Sequence, residues 1–251
     1  MKFKGLDRTS LKWIALVTML IDHLGAVFGE EFYISLGVPW IYSVFRCVGR
    51  LSFPIFAFFI AEGWHYTRSK KRYFLTMLIL ALISQPIYYF ALNTNLFAFN
   101  IFFTFLVSLT VMFLIDKIRQ NKSLAIFNGF LIFVILVLTI CMTIIDIPVV
   151  YGIFGVLLSV IFYLFNHLDK KWAKPLMFSL SALLMILYWL VHILLAESIE
   201  FNSFVSLFAL LSIPILMLYN GEKGKRSLKG LFYSFYPAHL LVLYLISLLI
   251  I

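Results

Sequence analysis

Charge is scarce in this chain, and acidic charge scarcer still. Asp, Glu, Lys and Arg make up 12% of 251 residues, with 11 acidic side chains against 20 basic ones. A soluble domain carries about a quarter charged residues, and a chain that is 63% hydrophobic could not hide its apolar surface from water. Cysteine is almost absent. Cys47 and Cys141 read as small buried apolar residues rather than a disulfide, and Cys47 has no nucleophile motif around it. Stretches rich in Pro, Gly or Ser are missing too, so residues 1–251 form one domain without a linker, and no internal repeat is visible. Also missing are a Gly-rich phosphate loop, a G-x-S-x-G elbow, H-E-x-x-H, C-x-x-C and any pair of carboxylates that could share a site. These absences remove the commonest nucleotide-hydrolysing, serine-hydrolase, zinc-peptidase and redox chemistries.

What is present is a pattern of basic clusters. Eighteen of the Lys and Arg residues fall into five groups: Lys2, Lys4, Arg8 and Lys12; Arg68, Lys70, Lys71 and Arg72; Lys117, Arg119 and Lys122; Lys170, Lys171 and Lys174; Lys223, Lys225, Arg226 and Lys229. Between them lie apolar runs near the roughly 20 residues an α-helix needs to cross a hydrocarbon core. The fold class is therefore all-α, a polytopic integral membrane protein. About nine transmembrane helices are expected, at roughly 11–29, 40–66, 73–91, 99–116, 124–145, 148–166, 176–195, 202–219 and 231–250. The positive-inside bias puts the N-terminus in the cytoplasm and the C-terminus outside. Outer loops then carry Glu30, Glu31, Asp146, Glu197 and Glu200 and no basic residue. The net charge of +9 is mainly a topology signal read by anionic lipid, not a nucleic-acid footprint. The first helix, which contains Asp22 and His23, is not expected to be a cleaved signal peptide.

Arg46 and Arg50 break the rule that the other eighteen obey, because they lie inside a span. An ionisable group near the bilayer centre costs about 2.5 to 3.5 kcal/mol on insertion scales and needs a partner, a wet cavity or a task. At 1.5 Å per residue, Asp22 and His23 lie about 16 to 18 Å above the cytoplasmic end of the first helix, and Arg46 and Arg50 about 9 and 15 Å below the outer end of the second. Ser84 and Gln85 beside Pro86, Asn100, Tyr151, and Tyr236 with His239 fall in the same middle-to-outer layer. Six helices converging there imply one wet pocket open to the outside.

Spacing limits the pairings. Arg46 and Arg50, four apart, share a helix face, whereas Asp22 and His23 point about 100° apart. Asp22 is expected to meet Arg50 across helices 1 and 2, leaving His23 free, with Arg46 snorkelling outward. Each residue also has a structural role open to it: an ion pair for Arg50 and Asp22, packing for His23 and His239, interhelical amide bonds for Gln85 and Asn100. Glu62 and His65 read as an anchor at the inner end of helix 2 or as part of a cytosolic ligand mouth, and His167 and His192 as interfacial. No metal is expected, since nothing in the spacing of Asp22, His23 and His239 favours one. A histidine base beside fixed cations and amides suits acyl transfer. The same residues would serve a proton-coupled transporter or permease, and a non-catalytic membrane scaffold or immunity protein is a third reading.

Seven runs in order narrow the choice: L-I-D-H-L-G (20–25), G-R-L-S-F-P-I-F-A-F (49–58), E-G-W-H-Y-T (62–67), I-S-Q-P-I-Y-Y (83–89), F-N-I-F-F-T-F (99–105), Y-G-I-F-G-V-L-L (151–158) and F-Y-P-A-H-L (235–240). Together they resemble the TraX family, named for the F-pilin N-terminal acetylase of conjugative plasmids. The resemblance implies a multi-pass enzyme of the bacterial cytoplasmic (inner) membrane, akin to the broader transmembrane acyltransferases. Such an enzyme carries an acetyl group from cytosolic acetyl-CoA to an outward-facing acceptor: a small membrane or exported peptide, a glycan or a metabolite. In those relatives the base is a first-helix histidine, which matches His23. Arg50, with Gln85 or Asn100, would stabilise the oxyanion, and Asp22 would hold Arg50 or receive the acceptor ammonium. His239 is the alternative base or the site of a transient acetyl-histidine. Arg46, Tyr151 and Tyr236 complete the expected substrate-binding set, and the basic inner loops would hold the CoA nucleotide.

Overall fold

The computed structural model of the chain describes residues 5–95, 97–144, 150–195, 201–224 and 229–250. These form ten α-helices: α1 (Arg8–Ser35), α2 (Pro39–Gly49), α3 (Ser52–Tyr66), α4 (Lys70–Leu92), α5 (Ile101–Gln120), α6 (Ala125–Ile144), α7 (Gly152–Phe165), α8 (Ala173–Leu195), α9 (Ser212–Met217) and α10 (Lys229–Ile250). A long 3-10 segment, Phe201–Leu211, runs into α9. Among the described residues seven stretches are long and apolar enough to span a bilayer, α2 and α3 together making one of them. Two further apolar stretches, Gly152–Phe165 and Phe204–Met217, are shorter. The chain is thus an all-helical, multi-pass membrane protein. Asp146, Glu197, Glu200, Lys2, Lys4, Lys225 and Arg226 lie outside the described residues.

The main departure from the sequence expectation is that 40–66 is not one helix. α2 stops at Gly49, and α3 starts at Ser52. The cause is Pro54, which has no N–H for the Arg50 carbonyl four residues earlier and whose ring crowds that carbonyl. The end of α2 tightens instead into i→i−3 bonds, Arg50 N to Cys47 O and Leu51 N to Val48 O, both 3.2 Å. Ser52 Oγ donates to the Gly49 carbonyl at 2.7 Å, so carbonyls that would be orphaned in hydrocarbon find donors. α1 is interrupted as well, at Gly29 with φ 74° and ψ 168°, where the expected first span ends.

The chain's contacts fall into two compact units. The first comprises the described residues within Met1–Phe56, Phe90–Leu92 and Phe178–Ile251. In it α1 packs on both α2 and α10, and α2 on the Phe201–Leu211 segment. Its N-terminal end is stitched to the loop after α9: Leu6 N donates to Leu218 O (2.7 Å), Asn220 N to Leu6 O (3.0 Å) and Arg8 N to Glu222 O (2.9 Å). Asp7 caps α1 by accepting from Ser10 N at 2.7 Å, and the Ser10 hydrogen bonds hold its carboxyl below the ordinary carboxylate range.

The second unit comprises Ala57–Tyr89 and the described residues within Asn93–Met177. Here α5 packs on α6 and α7 around Val111, Val156 and Val160. Ile126, Phe127, Phe130 and Phe133 of α6 are exposed, which suits a face turned to lipid tails. Asn100 sets the entry of α5. Its Oδ1 accepts from Phe102 N (3.0 Å), while its Nδ2 donates to Ala81 O and to Gln85 Oε1 (both 2.8 Å). Gln85 in turn donates to Ala98 O at 2.8 Å. Asn100 is fully buried, so Asn100→Ala loses a helix cap worth about 1 kcal/mol together with both amide donors. Its melting temperature in detergent should fall clearly, while Asn95→Ala, at an exposed turn, stays within about 0.5 kcal/mol of the parent. Equal melting temperatures for the two variants would contradict this lock.

Candidate functional site

Asp22 is the hub of the first unit's polar layer. Its Oδ1 accepts from Arg46 Nη1 at 2.8 Å and from Arg50 Nη2 at 3.1 Å. Arg46 Nη1 also reaches the Asp22 carbonyl at 3.3 Å, and Arg50 Nε donates to the Arg46 carbonyl at 3.3 Å. The three side chains are 15 to 24% exposed, so solvent screens the charges weakly. The expected Asp22–Arg50 contact is present. Arg46, expected to snorkel outward, instead turns back and makes the shorter bond to the carboxylate, because Asp22 offers a charge-assisted acceptor within its reach.

Two glycines make this approach possible, and neither was singled out from the sequence. A Cβ at Gly49 would lie 2.1 Å from the Asp22 Cβ, and one at Gly25 would lie 3.2 Å from the Arg46 Cδ. Small residues at such crossings let helix backbones come close. Gly25 closes the L-I-D-H-L-G run and Gly49 opens G-R-L-S-F-P, so both motifs carry the signal.

His23, the next residue on α1, points to α10 instead. Its Nδ1 lies 2.7 Å from His239 Nε2. His239 Nδ1 lies 2.5 Å from the Phe235 carbonyl, and its ring stacks on that of Phe235 at 4.8 Å and 21°. Tyr236 packs edge-on against both imidazoles, with centroids 5.7 and 5.9 Å away. His23, Tyr236 and His239 are all buried. His23, expected to be left free, is instead joined to the histidine that had stood as its rival. α1 thus presents an ion cluster and an imidazole pair from consecutive residues.

The other candidates belong to the second unit. Gln85 and Asn100 bond each other, as described above. Tyr151 precedes α7 with a left-handed φ of 60°, a conformation that costs a non-glycine residue energy and recurs at functional positions. At the basic ends of α3, α5 and α7 the sequence reading missed Asp116. It accepts from Trp64 Nε1 at 2.9 Å and from the Tyr163 hydroxyl, which itself accepts from Arg119 Nη1 at 3.0 Å. Lys70 donates to the Trp64 carbonyl and sits 4.3 Å over its ring. A lone acid three residues before Arg119, in the basic last turns of α5, was the available clue. His65 stacks on His167 at 3.7 Å. Both cysteines are free thiols, and no group of three metal-ligating side chains occurs among the described residues.

If the Asp22 carboxylate holds the α1–α2 crossing, Asp22→Asn should cost on the order of 3 to 5 kcal/mol by removing the charge that both guanidiniums share. Gly49→Ala should cost about 1 to 3 kcal/mol by overpacking. Unfolding in detergent, followed by helical signal against temperature, reads both; an Asp22→Asn protein as stable as the parent would refute the hub role.

Comparison with known proteins agrees with this layout of motifs. No solved structure matches the chain. A probable fimbrial assembly protein, FimC of serogroup H1, from Dichelobacter nodosus is 28% identical over 251 aligned residues, covering 93% of this chain and 92% of that protein. The profile of the TraX protein family matches residues 7–247, which include Asp22, His23, Arg46, Arg50 and His239, and the chain therefore belongs to the TraX family.

Proposed function

We propose that the chain is a membrane-embedded acetyltransferase that carries an acetyl group from cytosolic acetyl-CoA to an amine or hydroxyl on the outer side of a bacterial cytoplasmic membrane. The observation that carries this reading is the adjacency on α1 of a guanidinium cluster and a paired imidazole, Asp22 with Arg46 and Arg50, then His23 with His239. Acyl transfer needs those two functions together: a base for the acceptor proton and fixed positive charge for the tetrahedral oxyanion.

In this reading the nine-helix topology holds, the two shorter apolar stretches counting as spans, with the N-terminus cytoplasmic and the C-terminus outside. Contacts within each unit support the orientation. The stitch of Leu6, Arg8 and Thr9 to 218–223 brings Arg8 of the first basic cluster beside Lys223 of the last. In the second unit the Trp64–Asp116–Tyr163 network gathers Lys70 and Arg119 from two more. Within each unit, basic residues gathered at one end fit the positive-inside pattern, and such an end is where an anionic CoA nucleotide would approach.

The imidazole pair takes the acceptor's proton, the acceptor's lone pair attacks the thioester carbonyl, and Arg50 stabilises the resulting oxyanion. Collapse breaks the C–S bond, and the proton leaves on the CoA thiolate. Asp22 and Arg46 hold Arg50 in place. Gln85 and Asn100, engaged with each other, serve to lock the entry of α5. The family name and the fimbrial relative point to a pilin-like peptide as the acceptor, with its N-terminal amine as the nucleophile.

His23→Ala should lower acetyl transfer by about 10²- to 10⁴-fold, the usual contribution of a general base, while insertion and purification stay normal. Free CoA thiol released from acetyl-CoA by purified protein with a hydrophobic peptide bearing a free N-terminus reads the effect. Mass spectrometry of exported peptides from cells with and without the gene identifies the acceptor. Undiminished thiol release by His23→Ala, His239→Ala and the double variant would sink the histidine mechanism.

A further inference from the structure

We infer that His239 is a positioning residue that fixes the tautomer of His23, so that Nε2 of His23 is the nitrogen that takes the acceptor's proton; this rests on the acetyl-transfer reading above. The argument starts from a backbone oxygen. A carbonyl can only accept, so His239 Nδ1, 2.5 Å from the Phe235 carbonyl, must carry a hydrogen. A neutral imidazole has one N–H, so Nε2 of His239 is a bare lone pair. His23 Nδ1, 2.7 Å from that lone pair, must then be the donor. The single N–H of neutral His23 is thereby committed to His239, and its Nε2 is left as the acceptor. Protonating both rings fully would set N–H against N–H across 2.7 Å, so the pair holds at most one extra proton, and that proton belongs on His23 Nε2.

The assignment decides between two roles that the sequence left open. His239 cannot be the base or carry a transient acetyl group in this arrangement, because its Nδ1 is donated to Phe235 and its Nε2 is occupied by His23. It acts instead as an oriented acceptor, the part a carboxylate plays behind the histidine of a catalytic triad. Packing keeps it there. Phe235 stacks on one ring, Tyr236 is edge-on to both, and both imidazoles are buried. The proton account closes. The acceptor's hydrogen moves to His23 Nε2 as its nitrogen or oxygen bonds to the acetyl carbon. The imidazolium charge is steadied by the Nδ1–H···Nε2 bond to His239. The same proton then passes from Nε2 to the departing thiolate, giving free CoA and the starting tautomers.

The test uses the full-length protein in lipid nanodiscs with 13C,15N-labelled histidine. His23 resonances are assigned by difference from His23→Ala, and the nitrogen shifts report which ring nitrogen is protonated. The expected result is a protonated Nδ1 and a bare Nε2 at His23, the minority tautomer of free histidine in water. His239→Leu should release this preference and lower kcat for CoA thiol release by about a hundredfold or more, with KM for acetyl-CoA little changed. His239→Gln, which can place an amide oxygen opposite His23 Nδ1, should recover most of the loss. A wild-type His23 protonated on Nε2, or a His239→Leu protein with unchanged tautomer and kcat, would overturn the inference. A wild-type protein that releases no thiol would refute the acetyl-transfer reading instead, and the nitrogen shifts would still decide the tautomer.

Discussion

One carboxylate oxygen, Asp22 Oδ1, receives two guanidiniums within a bilayer-spanning helix pair, and much of the first unit is arranged to let it do so. Ionised groups at that depth are tolerated only when they satisfy one another. The shared oxygen requires α1 and α2 to approach until no side chain fits at Gly49, and it requires Arg50 to sit where α2 ends. Pro54 supplies that end by withholding a backbone donor. The helix break, the glycine and the ion cluster are therefore one feature. The C-terminal end of α2 also presents partial negative charge to the arginines on its last turn, which favours cations there.

The membrane class, the position of most spans and the candidacy of Asp22, His23, Arg46, Arg50, Gln85, Asn100, Tyr151, Tyr236 and His239 were legible in the sequence. Each is expensive or conspicuous in an apolar run, and helical rise converts its position to depth. What could not be read was direction. The 100° between Asp22 and His23 showed that they face apart, but not that α2 lies on one side and α10 on the other. The His23–His239 contact spans 216 residues of sequence separation, and no local pattern encodes a pairing so distant. The break after Gly49 was written in the Gly, Ser and Pro of G-R-L-S-F-P, yet the long apolar run on either side outweighed it. Asp116 escaped notice because an acid at a helix end among lysines reads as solvated, and its partners Trp64 and Tyr163 come from other helices.

The Asp22 cluster of the first unit and the α4–α5 lock of the second solve the problem of buried polarity differently. In the first, full charges meet, and the geometry is set by the reach of two arginines around one carboxylate. In the second, Gln85 and Asn100 use neutral amides bonded to each other and to the backbone, while Ser108 and Ser159 return their hydroxyls to the carbonyl one turn back. Neutral amides and hydroxyls hold helices at modest cost and lock orientation.

The backbone stitch between Leu6 and the loop at 218–220 bears on the order in which the protein can be made. As the chain is synthesised, α1 enters the bilayer with Asp22 and His23 long before α10 exists. Asp22 finds its arginines within the next 28 residues, so its charge is neutralised early. His23 must wait for His239, and the N-terminal end of α1 must wait for 218–222 to emerge. The ion cluster thus needs only the first 50 residues of the chain, while the imidazole pair is completed only when α10 docks on α1. A ribosome-bound intermediate of that length would hold both arginines of the charge centre and a His23 still without its partner imidazole.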